Sequence, residues 1–313
     1  MALVRRLNAR ANRLLTYHHF KASTVAAFEE QCEHIRRYYT PVSLDEIGAF
    51  LRDGKPLPKN SVSITVDDGY RDFYRYAYPS LKRFRIPATV FLMTDFIDGV
   101  SWPWWDLLRY AFDRTGLEAA DIQMDGFRFR HPLSSSATRV RACQQLEEAL
   151  KDVSNAKRLE LVVRMPELLQ VAIPAAPPEE LAPLTWDQVR EMAANGITIG
   201  AHTRSHPILA TLDSDEELRH EIEGSRNRIS EELGTPTLHF SYPNGRSQDI
   251  TARVRRVVEA TGFRTAVCTE SGLNTPATDP LLVRRISMDP QLSKLYYRQQ
   301  LAGFRVGTRL ETV

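Results

Sequence analysis

The sequence predicts an α/β fold built on a largely parallel sheet. Three observations carry that prediction. Short β-branched apolar runs read as buried strands, helical patterns with capping signals lie between them, and charged or turn residues stand where each run ends. At 313 residues the chain suits one large domain, 1–313. The alternation alone leaves two forms of the sheet open, a closed barrel or a doubly wound sheet.

The elements follow in order. "RLLTYH" (13–18) is a first strand. Val25, Phe28, Cys32, Ile35 and Tyr39 recur near helical spacing over 23–39. Ser43 and Glu46 form a capping box that opens another helix, because each side chain satisfies the other's orphan amide. A strand at 61–66, a helix from about 71 to 85 and the β-branched strand "ATVFLMT" (88–94) come next. Later, Thr185 with Gln188 starts a helix that Gly196 ends, and the strand "ITIGAH" follows. Ser214 with Glu217 starts a long helix that stops at Gly234. Strand 238–242, helix 249–261 and strand 264–268 complete the rhythm.

Residues 99–183 break it. They open with "DGVSWPWWDLL", continue with helical patterns near 140–170 and end in "IPAAPPEELAP". This stretch reads as a mainly helical insertion over the mouth of the sheet, since loops at strand C-termini carry function.

Composition narrows the class. A hydrophobic share of 42% and a charged share of 26% fit an ordinary soluble protein with a sizeable core. A net charge of +2 gives no pull toward nucleic acid. Cys32, Cys143 and Cys268 sit in apolar patterns and read as buried thiols, which favours a reducing compartment. No apolar run reaches signal-peptide or membrane-span length, so a cytoplasmic protein is expected. Arg5, Arg6, Arg10 and Arg13 make a basic leader that reads as solvated, with peripheral membrane contact as the alternative.

The chemistry gathers at two strand ends. "ITVDDGY" (64–70) runs an apolar strand into Asp67 and Asp68. Two adjacent carboxylates at a buried strand end repel each other and lose hydration unless a cation or proton compensates. "ITIGAHTRSH" (197–206) supplies the counterpart, because His202 and His206 also follow a strand directly. A helix or turn places both imidazoles on one side, and residues past parallel strand ends converge on one rim. Asp68, His202 and His206 then surround a divalent metal, and Asp67 is left free as a base.

With these motifs in view, the chain resembles the NodB-homology polysaccharide deacetylases, carbohydrate esterase family 4. "TVDDGY" and "HTRSH" match the first two family motifs, and "FSYPNG" (240–245) matches the third. "LLTYHHF" looks like the "YH" strand of members that modify bacterial exopolysaccharides. The resemblance covers most of the chain outside 99–183. It implies a distorted (β/α) barrel and a Zn²⁺-type ion on Asp68, His202 and His206, with Co²⁺ or Ni²⁺ as alternatives. It further implies Asp67 as general base, and Tyr242, Pro243 and Asn244 on the oxyanion and substrate side, Asn244 through its backbone amide. The implied reaction removes N-acetyl groups from a glycan in exopolysaccharide or capsule assembly.

Two family features are missing. The arginine that orients the base falls at Ser241, and "LLVRRISMDP" (281–290) lacks the C-terminal histidine that acts as general acid. His18 is the candidate proton donor, with return of the proton by Asp67 as the alternative. His19 is expected on the opposite strand face. Arg284 or Arg285 is a replacement for the missing arginine, weighed against a solvated or structural role. Among the insertion's aromatics, Trp102, Trp104 and Trp105, sugar stacking is weighed against packing, and Tyr70 is weighed the same way as a pocket residue. The competing readings are a deformylase or deacetylase of a lipid-linked sugar and a non-catalytic glycan-binding member.

Overall fold

The strands pair in parallel, as expected of a distorted (β/α) barrel. A computed structural model describes residues 1–124 and 126–304. The main sheet contains β1 (Arg13–Tyr17), β2 (Thr40–Pro41), β3 (Ser61–Val66), β4 (Ala88–Leu92), β7 (Thr198–Ala201), β8 (His239–Ser241), β9 (Thr265–Val267) and β10 (Ile286–Ser287). Neighbours run β10-β1-β3-β4-β7-β8-β9, and β2 pairs with the start of β3. Every pairing in this sheet is parallel.

The chain between Val283 and Ser287 draws the two ends of the sheet together. Val283 bridges to Val267 of β9, and Ile286 pairs with Leu15 of β1. Two-residue strands carry no readable period, so β2 and β10 were invisible to pattern analysis. Longer strands are buried on both faces, as parallel strands wrapped by helices must be.

The helices pack outside. They are α1 (Ala2–Leu7), α2 (Val25–Tyr38), α3 (Leu44–Asp53), α4 (Tyr78–Phe84), α5 (Thr94–Ile97), α9 (Trp186–Ala194), α10 (Asp215–Leu233), α11 (Ala252–Thr261) and α12 (Lys294–Ala302). The three capping boxes form as expected: Glu46 N donates to Ser43 Oγ, Gln188 N to Thr185 Oγ1 and Glu217 N to Ser214 Oγ. Gly234 ends α10 in the left-handed conformation. The short helices α1 and α12 were not anticipated.

The segment after α5 builds its own apolar cluster from α6 (Trp104–Arg114), α7 (Ser136–Ala149) and α8 (Asn155–Leu168). It also contains an antiparallel hairpin, β5 (Ala119–Met124) and β6 (Phe127–Pro132). Ala120, Ile122 and Met124 turn one face of that hairpin into the cluster. Sequence reading missed this alternation, while α6, α7 and α8 make up most of the stretch's regular structure.

The basic N-terminal segment is only partly a solvated leader. Arg13 is fully buried in β1 and donates to the carbonyls of Leu301, Ala11 and Asn8. Arg5 donates to the Tyr38 carbonyl and lies over that ring. These two guanidinium groups serve the fold. The three cysteines are buried free thiols. Among the described residues, no helix is long and apolar enough to cross a membrane.

Candidate active site

At the C-terminal ends of β3 and β7 the chain turns sharply, and the turns aim the functional groups. Asp68 has φ +76°, Thr203 +64°, His206 +58° and, after β8, Asn244 +58°. Left-handed backbone is uncommon for residues with a Cβ, so four such positions around one rim mark stored strain at a site. Gly69, at φ +88°, is required for a second reason. A Cβ there would meet Ile97 Cδ1 and Leu92 Cδ2 at 3.0 Å.

The turns bring Asp68, His202 and His206 together. One ligand atom from each lies within 4.8 Å of the others, and all three residues are buried. His202 Nε2 stands 3.5 Å and His206 Nε2 3.9 Å from Asp68 Oδ1. The 202–206 segment is a turn, not a helix. His206 N donates to Thr203 Oγ1, and the Glu221 carboxylate of α10 accepts from Arg204 N, Ser205 N and Ser205 Oγ.

The donor set fits a divalent cation. His202 Nδ1 hydrogen-bonds the Ser241 carbonyl at 2.7 Å, which fixes its proton there and leaves the Nε2 lone pair toward Asp68. Burial and the neighbouring His202 press the His206 imidazole down to about 3, so it is neutral near pH 7 and retains a lone pair. Among the described residues its buried Nδ1 has no hydrogen-bond partner. Without a metal, burial pushes the Asp68 carboxyl up, but a hydrogen bond from His202, whose own pKa that bond raises, outweighs it and holds Asp68 ionised well below the usual range.

Asp67 is held apart from that trio. Its Oδ1 accepts from Arg285 Nη1 at 2.7 Å, and its Oδ2 accepts from Ser241 Oγ at 3.3 Å. Burial raises this carboxyl, and the Arg285 guanidinium, followed by His202, reverses the shift to below the ordinary value. Arg285 is itself buried, with its Nε on the Cys268 carbonyl. The seam that closes the sheet therefore delivers a guanidinium to the carboxylate, while the family's arginine position holds a serine that also touches it.

A cavity of about 470 Å³ opens above these groups. His18 lines it, with Nε2 4.0 Å from Asp67 Oδ2 and the side chain half exposed. His19 lines it as well, because β1 ends at Tyr17 and strand alternation no longer applies. His19 Nδ1 bonds Asp72 Oδ2 at 2.9 Å; burial disfavours its charged form, but Asp72 raises its pKa.

On the insertion side stand Trp104 and Trp105, the latter edge-on to His206 at 4.6 Å between centroids. Trp102 instead packs edge-on against Tyr110. Tyr70 is buried rather than on the wall. It accepts from Trp105 Nε1 and donates to Asp106 Oδ2 at 2.5 Å. Burial lifts Asp106 to about 6.

On the opposite wall, Tyr242 lines the cavity but spends its hydroxyl on the Leu281 carbonyl. Pro243 is buried, and its neighbours Tyr242 and Asn244 face the cavity. The Asn244 side chain donates to Asp249 Oδ2, which pins the turn. Among the described residues its backbone amide meets no protein acceptor.

Comparison with known proteins shows the family. Residues 54–266 match the model of the family described as polysaccharide deacetylase. The chain belongs to that family. Family members use a divalent metal, and Asp68, His202 and His206 are the residues that fit one. The Escherichia coli K12 poly-β-1,6-N-acetyl-D-glucosamine N-deacetylase is 41% identical over 70 residues, 22% of this chain. The match spans only 10% of that relative's length. The Streptococcus pyogenes deacetylase PplD has the same fold, with a TM-score of 0.61 at 19% identity over 94% of this chain and 99% of that one. IcaB from Ammonifex degensii superposes with a TM-score of 0.58 at 18% identity, covering 94% and 97%. His18, His19 and Arg285 lie outside the matched 54–266 stretch, and the tertiary structure brings all three to the site. Sequence reasoning underrated Arg285 and missed Glu221 and Asp106. Arg285 carried one signal, shared with Arg284: a cation pair enclosed between apolar Val283 and Ile286.

Proposed function

We propose that this chain hydrolyses N-acetyl groups on an exopolysaccharide of hexosamine units, with Asp67 as general base and a divalent ion on Asp68, His202 and His206. The ion is Zn²⁺ in this reading, since one carboxylate and two imidazoles suit it. When bound, it supplies Lewis-acid polarisation of the acyl oxygen and lowers the pKa of water.

The observation that carries the reading is the division of labour between adjacent carboxylates. Asp68 faces two imidazoles, while Asp67 faces a guanidinium and a serine hydroxyl. Asp67 takes a proton from water as the water oxygen bonds to the acyl carbon; the C–N bond then breaks, acetate is released and the freed amine takes up a proton. In this reading His18 is the donor of that proton, supported by its 4.0 Å separation from Asp67. The unoccupied Asn244 amide is the oxyanion donor, and its pinned turn supplies the preorganisation such a donor needs. Trp105 offers an aromatic face to the sugar.

The test measures acetate release from β-1,6-linked N-acetylglucosamine oligomers, with zinc and with chelator. Asp67→Asn should keep the metal and lose about a hundred- to ten-thousand-fold in rate. Wild-type turnover in that variant would remove the base assignment. Binding of the oligomer with no acetate released by the zinc-loaded protein would favour a glycan-binding role instead.

A further inference from the structure

Tyr70 follows the turn of Asp67, Asp68 and Gly69, and both ends of the insertion fasten to residues 69–71. At the entry, the first turn of α6 sets Trp105 and Asp106 side by side, and both engage the same phenol oxygen. Trp105 Nε1 donates to Tyr70 Oη at 3.1 Å, and Tyr70 Oη donates to Asp106 Oδ2 at 2.5 Å. At the exit, Arg71 N donates to the Ala182 carbonyl and Leu184 N to the Gly69 carbonyl, so Tyr70 bridges to Pro183. The insertion is thereby docked on the segment that follows Asp68.

The polar chain at the entry costs stability where it stands. Tyr70 and Asp106 are buried, at 1% and 2% exposure, and burial lifts the Asp106 carboxyl. An apolar pair of the same volume would fill the space without that desolvation. What the chain adds is orientation, because a hydrogen bond at Nε1 fixes how the indole lies. That orientation bears on the site. Trp105 is half-buried, lines the cavity above the metal ligands and stands edge-on to His206, with 4.6 Å between centroids and 68° between planes.

We propose that Tyr70 and Asp106 are positioning residues for the substrate: they hold the Trp105 indole at one angle beside the metal site, and that ring receives the hexosamine unit whose acetyl group is removed. The proposal rests on the deacetylase reading and assigns the residues that shape its sugar site. Neither Tyr70 nor Asp106 lines that cavity, so both act through Trp105.

Steady-state kinetics of the zinc-loaded protein on a β-1,6-linked N-acetylglucosamine hexamer tests this. Tyr70→Phe keeps the ring and removes the hydroxyl. It should raise KM about three- to tenfold, the equivalent of one hydrogen bond. The same variant should leave kcat within about twofold, since it removes binding and not an interaction of the chemical step. Asp106→Asn retains an oxygen acceptor for Tyr70 and should hold KM within about twofold of wild type, whereas Asp106→Leu should match Tyr70→Phe. The decisive comparison is a cycle with Trp105→Phe. In that background Tyr70→Phe should raise KM no further, whereas a general loosening of the fold would raise it again. An unchanged KM in Tyr70→Phe, or the same rise with and without Trp105, would overturn the proposal. Calorimetric titration with the same hexamer repeats the cycle without turnover. If the wild-type protein releases no acetate, the deacetylase reading fails, and a loss of affinity in Tyr70→Phe that requires Trp105 still decides the positioning role.

Discussion

Replacing Arg285 with Met probes the buried pair that Asp67 forms. The guanidinium and the Asp67 carboxylate are both buried and meet at 2.7 Å. At an effective dielectric of about 20 the gross attraction is roughly 6 kcal/mol, before the loss of hydration is subtracted. Removing one partner of such a pair strands the other charge and costs about 3–5 kcal/mol. Asp67→Asn strands the guanidinium in the same way, whereas the double variant strands neither. A double-mutant cycle by urea denaturation of the metal-free protein near pH 7 should therefore give a coupling of about 2–4 kcal/mol. The sign with pH follows from the lowered carboxyl pKa. The coupling is complete above the unfolded carboxylate value of about 4 and is lost as pH falls through the folded value. Additive single variants, with coupling under about 0.5 kcal/mol at neutral pH, would refute the electrostatic account of this pair.

His202→Ala and His206→Ala should each abolish stoichiometric zinc by elemental analysis, and retention of one ion per chain by either would dissolve the proposed trio. Glu221→Ala removes the acceptor of three hydrogen bonds from the 204–205 turn, so metal affinity should fall about 10- to 100-fold in a chelator competition. Unchanged affinity would mean the turn needs no such anchor. Cys32, Cys143 and Cys268 should resist an aromatic disulfide reagent in the native state and react on unfolding, because burial keeps all three thiols protonated.

Much of the molecule was legible from local rules. Strand β3 was read to the residue, and the capping boxes at Ser43, Thr185 and Ser214 formed as written, since a cap is decided within four residues. The two motifs also pointed to one place, and the structure brings Asp68, His202 and His206 together there. Other features lay beyond such rules. The expectation that His19 faces away from His18 failed because the strand ended one residue earlier than assumed. Tyr70 follows the aspartates directly, yet it turned inward to Asp106, a partner 36 positions away.

The sequence by itself determined which residue types stand at the ends of which strands, because periodicity, caps and turn chemistry act over a few residues. Only the tertiary structure decided their partners. Arg285 reaches Asp67 across 218 positions, Ser241 substitutes a hydroxyl at the same carboxylate, and the insertion roofs the cavity above them. The physical reason is that a buried charge is stabilised by whatever group the packed chain brings within about 3 Å, and closure of the sheet, not local pattern, chooses that group.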